Sequence, residues 1–232
     1  EFNTITKKID AVRRCSSESY DCDKISVEKL KHFVSKEAFN IDGLGKKIVE
    51  GFWKIKLIKY PQDIFKLDYK KIENLEGWGK LSAENLKYSI NEKKNISLER
   101  FIYSLGIRHI GLENAKLLSK HFITFFNFKN LSKEKKIDEL LNIDGIGETQ
   151  INSIKNFFLN NTNMKILNEL EKVVIIKNAE AQNKNGPLKD KTFLVTGKLN
   201  GISRAEIKSL IEENSGITVS SVSKKLNYLI VG

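Results

Sequence analysis

Proline is nearly missing from these 232 residues: only Pro61 and Pro187 are present, and so little interruption suits long helical stretches. Cysteine is as scarce. Cys15 and Cys22 are too few for a disulfide framework, which makes a reducing cytoplasm the expected compartment. No apolar run approaches the ~18–20 residues that cross a bilayer, and the N-terminal stretch has no signal-peptide pattern, so entry into a membrane is not expected. Negative charge is in deficit: 40 Lys and Arg against 29 Asp and Glu leave a net charge of +11. Such an excess favours a polyanionic partner, with nucleic acid first and an anionic membrane surface second.

What the sequence has in abundance is a repeat, and a fixed period constrains the architecture before any single helix is argued. At intervals of roughly 34 residues the chain returns to an apolar–turn–apolar–Gly signature that opens a polar helix. The copies read Ile41-Asp42-Gly43-Leu44-Gly45, Leu75-Glu76-Gly77-Trp78-Gly79, Ile107-Arg108-His109-Ile110-Gly111 and Ile143-Asp144-Gly145-Ile146-Gly147. Each predicts a helix, a tight hairpin and a second helix, with the apolar residue between the glycines plugging the groove. The second glycine then leaves backbone N–H groups unpaired at a helix N-terminus, where the helix dipole also favours an anion. Lys46 and Lys47 follow the first copy, Lys80 follows the second, and Arg108 lies inside the third. A backbone phosphate would collect amide hydrogen bonds and a side-chain charge there, with no base being read.

The predicted DNA-binding set is therefore Gly43, Gly45, Lys46, Lys47, Gly77, Gly79, Lys80, Arg108 and Gly111. Gly145 and Gly147 are the weaker pair, because Glu148 and Thr149 follow them instead of lysine. His109 replaces the first glycine of its copy and reads as a turn residue, not a catalyst. A β-branched residue at Gly45 or Gly79 is expected to weaken binding by distorting the hairpin. No acid–base constellation, P-loop or complete metal site is visible, which disfavours an independent enzyme.

Helical spacing recurs at Val27, Leu30, Phe33 and Val34 behind a Ser26 cap, and at Ile48, Phe52, Ile55 and Leu57. It returns at Leu86 and Ile90, at Phe101 and Leu105, at Ala115, Leu117 and Leu118, at Leu140 and Leu141, and through Ile151–Phe158. A last helix is expected over Asn163–Leu170, with a short extended segment at Val173–Ile176. The Phe122–Phe128 cluster reads as core. Residues 178–187 are polar and end in Gly-Pro, as interdomain linkers do. Beyond them come a strand over Thr192–Gly197, a helix from Ser203 to about Asn214, and strands at Val219–Val222 and Leu226–Val231. That tail is small for an independent domain and exposes strand edges, so it reads as incomplete.

These residues carry a resemblance. The stretch from Leu30 to Gly45 resembles the join between the zinc finger and the helix-hairpin-helix domain of bacterial NAD-dependent DNA ligases. Phe101–Gly111 resembles that family's third hairpin. Lys191–Leu199, Ser203-Arg204 and Ser221–Gly232 are similar to the start of its BRCT domain. The implied fold class is mainly α: tandem helix-hairpin-helix repeats followed by an incomplete α/β BRCT-like unit. The implied domains are a zinc-finger remnant (1–24), four hairpins that bind DNA (25–177), a linker (178–187) and the N-terminal half of a BRCT domain (188–232).

What the resemblance implies is a non-catalytic segment that grips duplex DNA around a nick and supports nick sealing in replication and repair. The family's adenylated lysine sits in Lys-x-Asp-Gly, but Asn40 and Asn142 hold that place before the two Asp-Gly pairs here. The chain is thus expected to be inactive without N-terminal ligase domains, which become its implied partners. NAD, magnesium and zinc are implied for a full-length member and none for this chain. Cys15 and Cys22 resemble the second half of a four-cysteine zinc site and would hold metal only with a further cysteine pair. In phosphopeptide-binding BRCT domains a Ser/Thr and a Gly at the first strand act with a lysine of a later helix. Thr196 and Gly197 match only the first two. The implied location is a bacterial cytoplasm, at the nucleoid. The alternative is a free-standing helix-hairpin-helix module that binds DNA or scaffolds a repair complex.

Overall fold

A computed structural model of the chain describes residues 2–3, 8–9, 20, 22–131, 137, 140–141, 143, 145–179, 186–197, 201–202, 204–219, 222 and 226–232. They divide into two units, Glu1–Ala179 and Glu180–Gly232.

The first unit opens with a short antiparallel pair, β1 (Phe2–Asn3) and β2 (Lys8–Ile9). Helix α1 (Asp23–Phe33) begins three residues before the expected cap at Ser26. Ser26 is buried, and its hydroxyl donates back to the Tyr20 carbonyl at 3.1 Å instead of capping the helix. Helix α2 (Lys46–Lys54) stops short of Leu57 because Lys56 turns to φ 59°, with the Leu57 N–H bonded to the Phe52 carbonyl in a Schellman ending. A 3₁₀ turn (Pro61–Lys66), unforeseen in the helical pattern, leads into α3 (Tyr69–Glu73) and α4 (Lys80–Glu92). Then follow β3 (Asn95–Ser97), α5 (Leu98–Ser104), α6 (Leu112–Phe122) and α7 (Phe125–Asn130). The unit closes with α8 (Glu148–Leu159), α9 (Asn161–Val173) and β4 (Ile175–Lys177). Helix α9 starts before Asn163 because the Asn160 side chain caps the Asn163 N–H at 3.1 Å.

Phenylalanine rings pack in two series through the unit. Phe33 stacks on Phe39 (4.3 Å), Phe39 meets Phe101 (6.5 Å), and Phe101 meets Phe125 (5.2 Å). In a second series Phe122 meets Phe128, which meets Phe158 at 5.3 Å. Of the expected Phe122–Phe128 cluster, Phe122, Phe125 and Phe128 are core, while Phe126 faces outward. Arg100 fastens α5 to the loop after α1 by donating to the carbonyls of Lys36 and Ala38. Strand β4 returns to pair in parallel with β3, Asn95 opposite Ile175.

The second unit has β5 (Thr192–Thr196), α10 (Arg204–Glu213), β6 (Ile217–Val219) and β7 (Tyr228–Val231). Its sheet is all parallel in the order β6-β5-β7, over a small core of Phe193, Val195 and Ile211. Of the strand expected at Val219–Val222, the structure shows a strand at Ile217–Val219 that starts earlier, and residues 220 and 221 lie outside the described residues. Gly216 tucks against Ile211, its N–H bonded to the Ile211 carbonyl, so the helix ends abruptly and the strand starts at once. The last strand likewise begins at Tyr228, not Leu226. Residues 180–185 of the expected linker, and the Ser203 cap, lie outside the described residues. Gly186 is buried in this unit, its N–H donating to the Ser215 hydroxyl at 2.7 Å.

Candidate nucleic-acid interface

Each of the four hairpins turns on the same hydrogen bond. The N–H of Leu44, Trp78, Ile110 and Ile146 donates to the carbonyl three residues earlier, at 3.4, 3.0, 3.1 and 3.0 Å. The residue before each donor takes positive φ: Gly43 (86°), Gly77 (76°), His109 (62°) and Gly145 (92°). Positive φ at the third position is the demand of a type II turn, met most cheaply by glycine. His109 meets it instead, exposed, with its carbonyl accepting from the Asn114 side chain at 3.1 Å. The plug residues Leu44, Ile110 and Ile146 are buried, and Trp78 lies half-buried against Phe52, 5.4 Å between rings.

The hairpins interlock in twos. A Cβ on Gly43 would stand 3.5 Å from the Leu86 side chain of the second hairpin, and one on Gly145 would stand 3.1 Å from Leu117 of the third. In return, the second plug, Trp78, packs on Phe52 of the first. Phe52, Leu86, Leu118 and Ile154 occupy the same place after their second glycines, and all are buried.

The second glycine of each copy has a different duty. Gly45, Gly79 and Gly111 precede α2, α4 and α6 in extended backbone that any residue adopts, and no side chain caps these helices. A Cβ on any of the three would meet nothing within 4 Å. Neither backbone angle nor internal packing demands glycine there, so a β-branched substitution would not distort the hairpin. The expected distortion belongs to Gly43 and Gly77. What a side chain at Gly45, Gly79 or Gly111 would fill is the open space above unpaired N–H groups.

Charge separates the copies. Lys46, Lys47 and Lys80 are exposed in the first turns of α2 and α4, where a cation opposes the helix dipole at roughly 0.3–1 kcal/mol each. None of them joins an ion pair among the described residues. Lys31, by contrast, is raised by hydrogen bonds to Glu28 and Glu50, and Glu50 is lowered by Lys31 in turn. In the third copy Arg108 is exposed, but Glu113 stands in the first turn of α6. In the fourth, Glu148 opens α8, and the Gly147 N–H is already taken by the Gln150 side-chain oxygen at 3.2 Å. The Gly-x-x-Gln spacing carried that signal in the sequence. Asp144 lies outside the described residues, as does Cys15. Cys22 is half-buried before α1. Among the described residues no three His, Cys, Asp or Glu side chains gather as a metal site, and no helix is long and apolar enough to cross a membrane.

Residues 100–167 match the family model described as the helix-hairpin-helix motif, and residues 183–232 match that of the BRCA1 C Terminus (BRCT) domain. The chain is 68% identical, over its whole length, to the DNA ligase of Pelagibacter ubique. The chain matches the C-terminal part of a bacterial DNA ligase. Similar ligases occur in Wolbachia pipientis wMel (41% identical over 96% of the chain) and Parvibaculum lavamentivorans (37% over all of it). The chain spans 34% of the length of each of these ligases. The helix-hairpin-helix model covers the third and fourth hairpins; the first and second lie outside it yet turn on the same bond.

Proposed function

We propose that this chain is a DNA-gripping, non-catalytic segment of an NAD-dependent DNA ligase, holding duplex DNA around a nick by its backbone phosphates during replication and repair. One observation carries the reading. Gly45, Gly79 and Gly111 are glycines for no internal reason, each leaving open space over an uncapped helix N-terminus. Lysines that weaken two of these helices become favourable once an anion sits there. Gly43 and Gly77 shape the turns, Arg108 adds charge at the third, and Gly145 and Gly147 contribute mainly by packing. The rest of such a ligase is the natural partner, in a bacterial cytoplasm at the nucleoid. NAD and magnesium belong with those other parts, and zinc at Cys15 and Cys22 requires cysteines from them.

Fluorescence anisotropy on matched nicked, intact and single-stranded DNA across a salt series tests this. Neutralising ~3–5 phosphates gives a slope of log K against log salt of roughly −3 to −4.5, whatever the base sequence. Duplex binding of that kind, tighter at a nick, is the expected result. A strong preference for particular bases, or no duplex binding at low salt, would remove the phosphate reading.

A further inference from the structure

Ser26 stands where the sequence promises a helix cap, yet both of its hydrogen bonds reach backward. Its hydroxyl donates to the Tyr20 carbonyl at 3.1 Å and its N–H to the Cys22 carbonyl at 2.9 Å. The residue is fully buried, which shields the hydroxyl bond from competing water. Tyr20 is gripped through its side chain as well. Its ring packs on the core of the first unit, meets the Tyr60 ring edge-on at 5.5 Å and lies under the Lys29 ammonium at 5.3 Å. Burial, and then the neighbouring Tyr60, push its phenol above the ordinary value. The surface that receives the ring is itself braced. The Asp63 carboxylate accepts from the N–H groups of Lys59 and Tyr60, both at 2.8 Å. Phe65 of the same 3₁₀ turn meets Phe33 and Phe39, and Lys66 is paired with Glu169 of α9 at 2.8 Å. These contacts use no residue of the four hairpin turns. One such contact would leave the chain free to swivel about it; two on different elements remove that rotation.

We propose that Tyr20 is a positioning residue: held by its ring on the 3₁₀ turn and by its carbonyl on α1, it fixes the direction in which the preceding part of a ligase leaves the DNA-gripping unit, and so places that part over the nick. This rests on the reading of the chain as the DNA-gripping segment of such an enzyme. It adds to that grip a joint that acts on sealing and not on DNA affinity.

The test compares the whole ligase carrying this segment with this chain alone. In the whole ligase, Tyr20→Ala should slow single-turnover sealing of a saturating nicked duplex roughly ten- to a hundredfold, as small misplacements of reacting groups do. The same substitution in this chain alone should leave duplex affinity and its salt slope unchanged. Tyr20→Phe keeps the ring and should seal like the original, while Ser26→Ala, which releases only the carbonyl, should fall between the two. Met164→Ala, a truncation of a core-packed side chain on α9, controls for lost stability, with every variant assayed below its own melting temperature. If Tyr20→Ala seals normally, or Met164→Ala or Tyr20→Phe slows sealing as much, the inference is overturned. If Tyr20→Ala also removes duplex binding by this chain, the residue serves the hairpin fold and the inference is again overturned, with the DNA-gripping reading intact. If the unaltered chain binds no duplex at low salt, that reading falls, and this inference with it.

Discussion

The two glycines of one hairpin, separated by a single residue, answer to different constraints and should respond differently to substitution. At Gly43 and Gly77 the left-handed backbone makes any side chain costly, by roughly 1–2 kcal/mol, so Gly77→Ala should lower the melting temperature. At Gly45 and Gly79 serine is a better helix cap than glycine. Gly45→Ser and Gly79→Ser should therefore fold as stably as the original chain, or a few tenths of a kcal/mol more so. Their hydroxyls, however, would occupy the amides a phosphate needs, and duplex affinity should fall. A chain that keeps both stability and affinity after both serine substitutions would show that those amides face no ligand. His109 shows the limit of the rule: its φ of 62° is sustained without glycine, in a copy whose turn bond is as short as the others.

Between elements, the repeat was legible because tight turns and helix caps are local. Four copies of one spacing exposed the plug residues, the positive-φ positions and the buried face of each second helix. Pairing was not legible: nothing near Gly43 announces that Leu86 will pack on it. Ends of elements failed where a side chain chose an unusual partner, as when Ser26 bonded backward to Tyr20 and lengthened α1. The early start of β6 has the same local cause, a glycine pressed on its own helix. Close packing in the second unit gives a direct check. A Cβ on Gly186 would fall 2.3 Å from the Asn214 carbonyl oxygen, a collision worth about 1–3 kcal/mol, in a unit whose core, among the described residues, is three buried side chains. Under limited proteolysis residues 188–232 should be cut first, and Gly186→Ala should speed that cut while leaving the hairpin fragment intact. Equal resistance of both units would mean the second is held by more than its own core.

Across the whole molecule the charge excess is divided between two uses. Lys31, Lys66, Lys129 and Lys172 are engaged with glutamates on the body of the first unit, while Lys46, Lys47 and Lys80 join no ion pair among the described residues and, on the proposed reading, meet an external anion. Glu169 is held down to about 2, first by Lys172 and then by Lys66, against an ordinary 4.5. A carboxyl that titrates lower when folded stabilises the fold fully above its unfolded value and loses that contribution as pH falls from 4.5 toward about 2. Glu169→Gln should thus melt lower than the original at pH 6, and the gap should close by about pH 2–3. A gap constant with pH would rule out the ion pair as its origin. Finally, the first unit ends at its seam, not at its last helix. Strand β4 lies along β3, the strand that joins the second hairpin's helix α4 to the third hairpin's helix α5, and the Ala179 N–H bonds the Ile123 carbonyl. Mechanical tension arriving through residues 180–185 therefore enters at the junction of the two interlocked pairs. A pull from the second unit would load both pairs together and would not peel the fourth hairpin away alone.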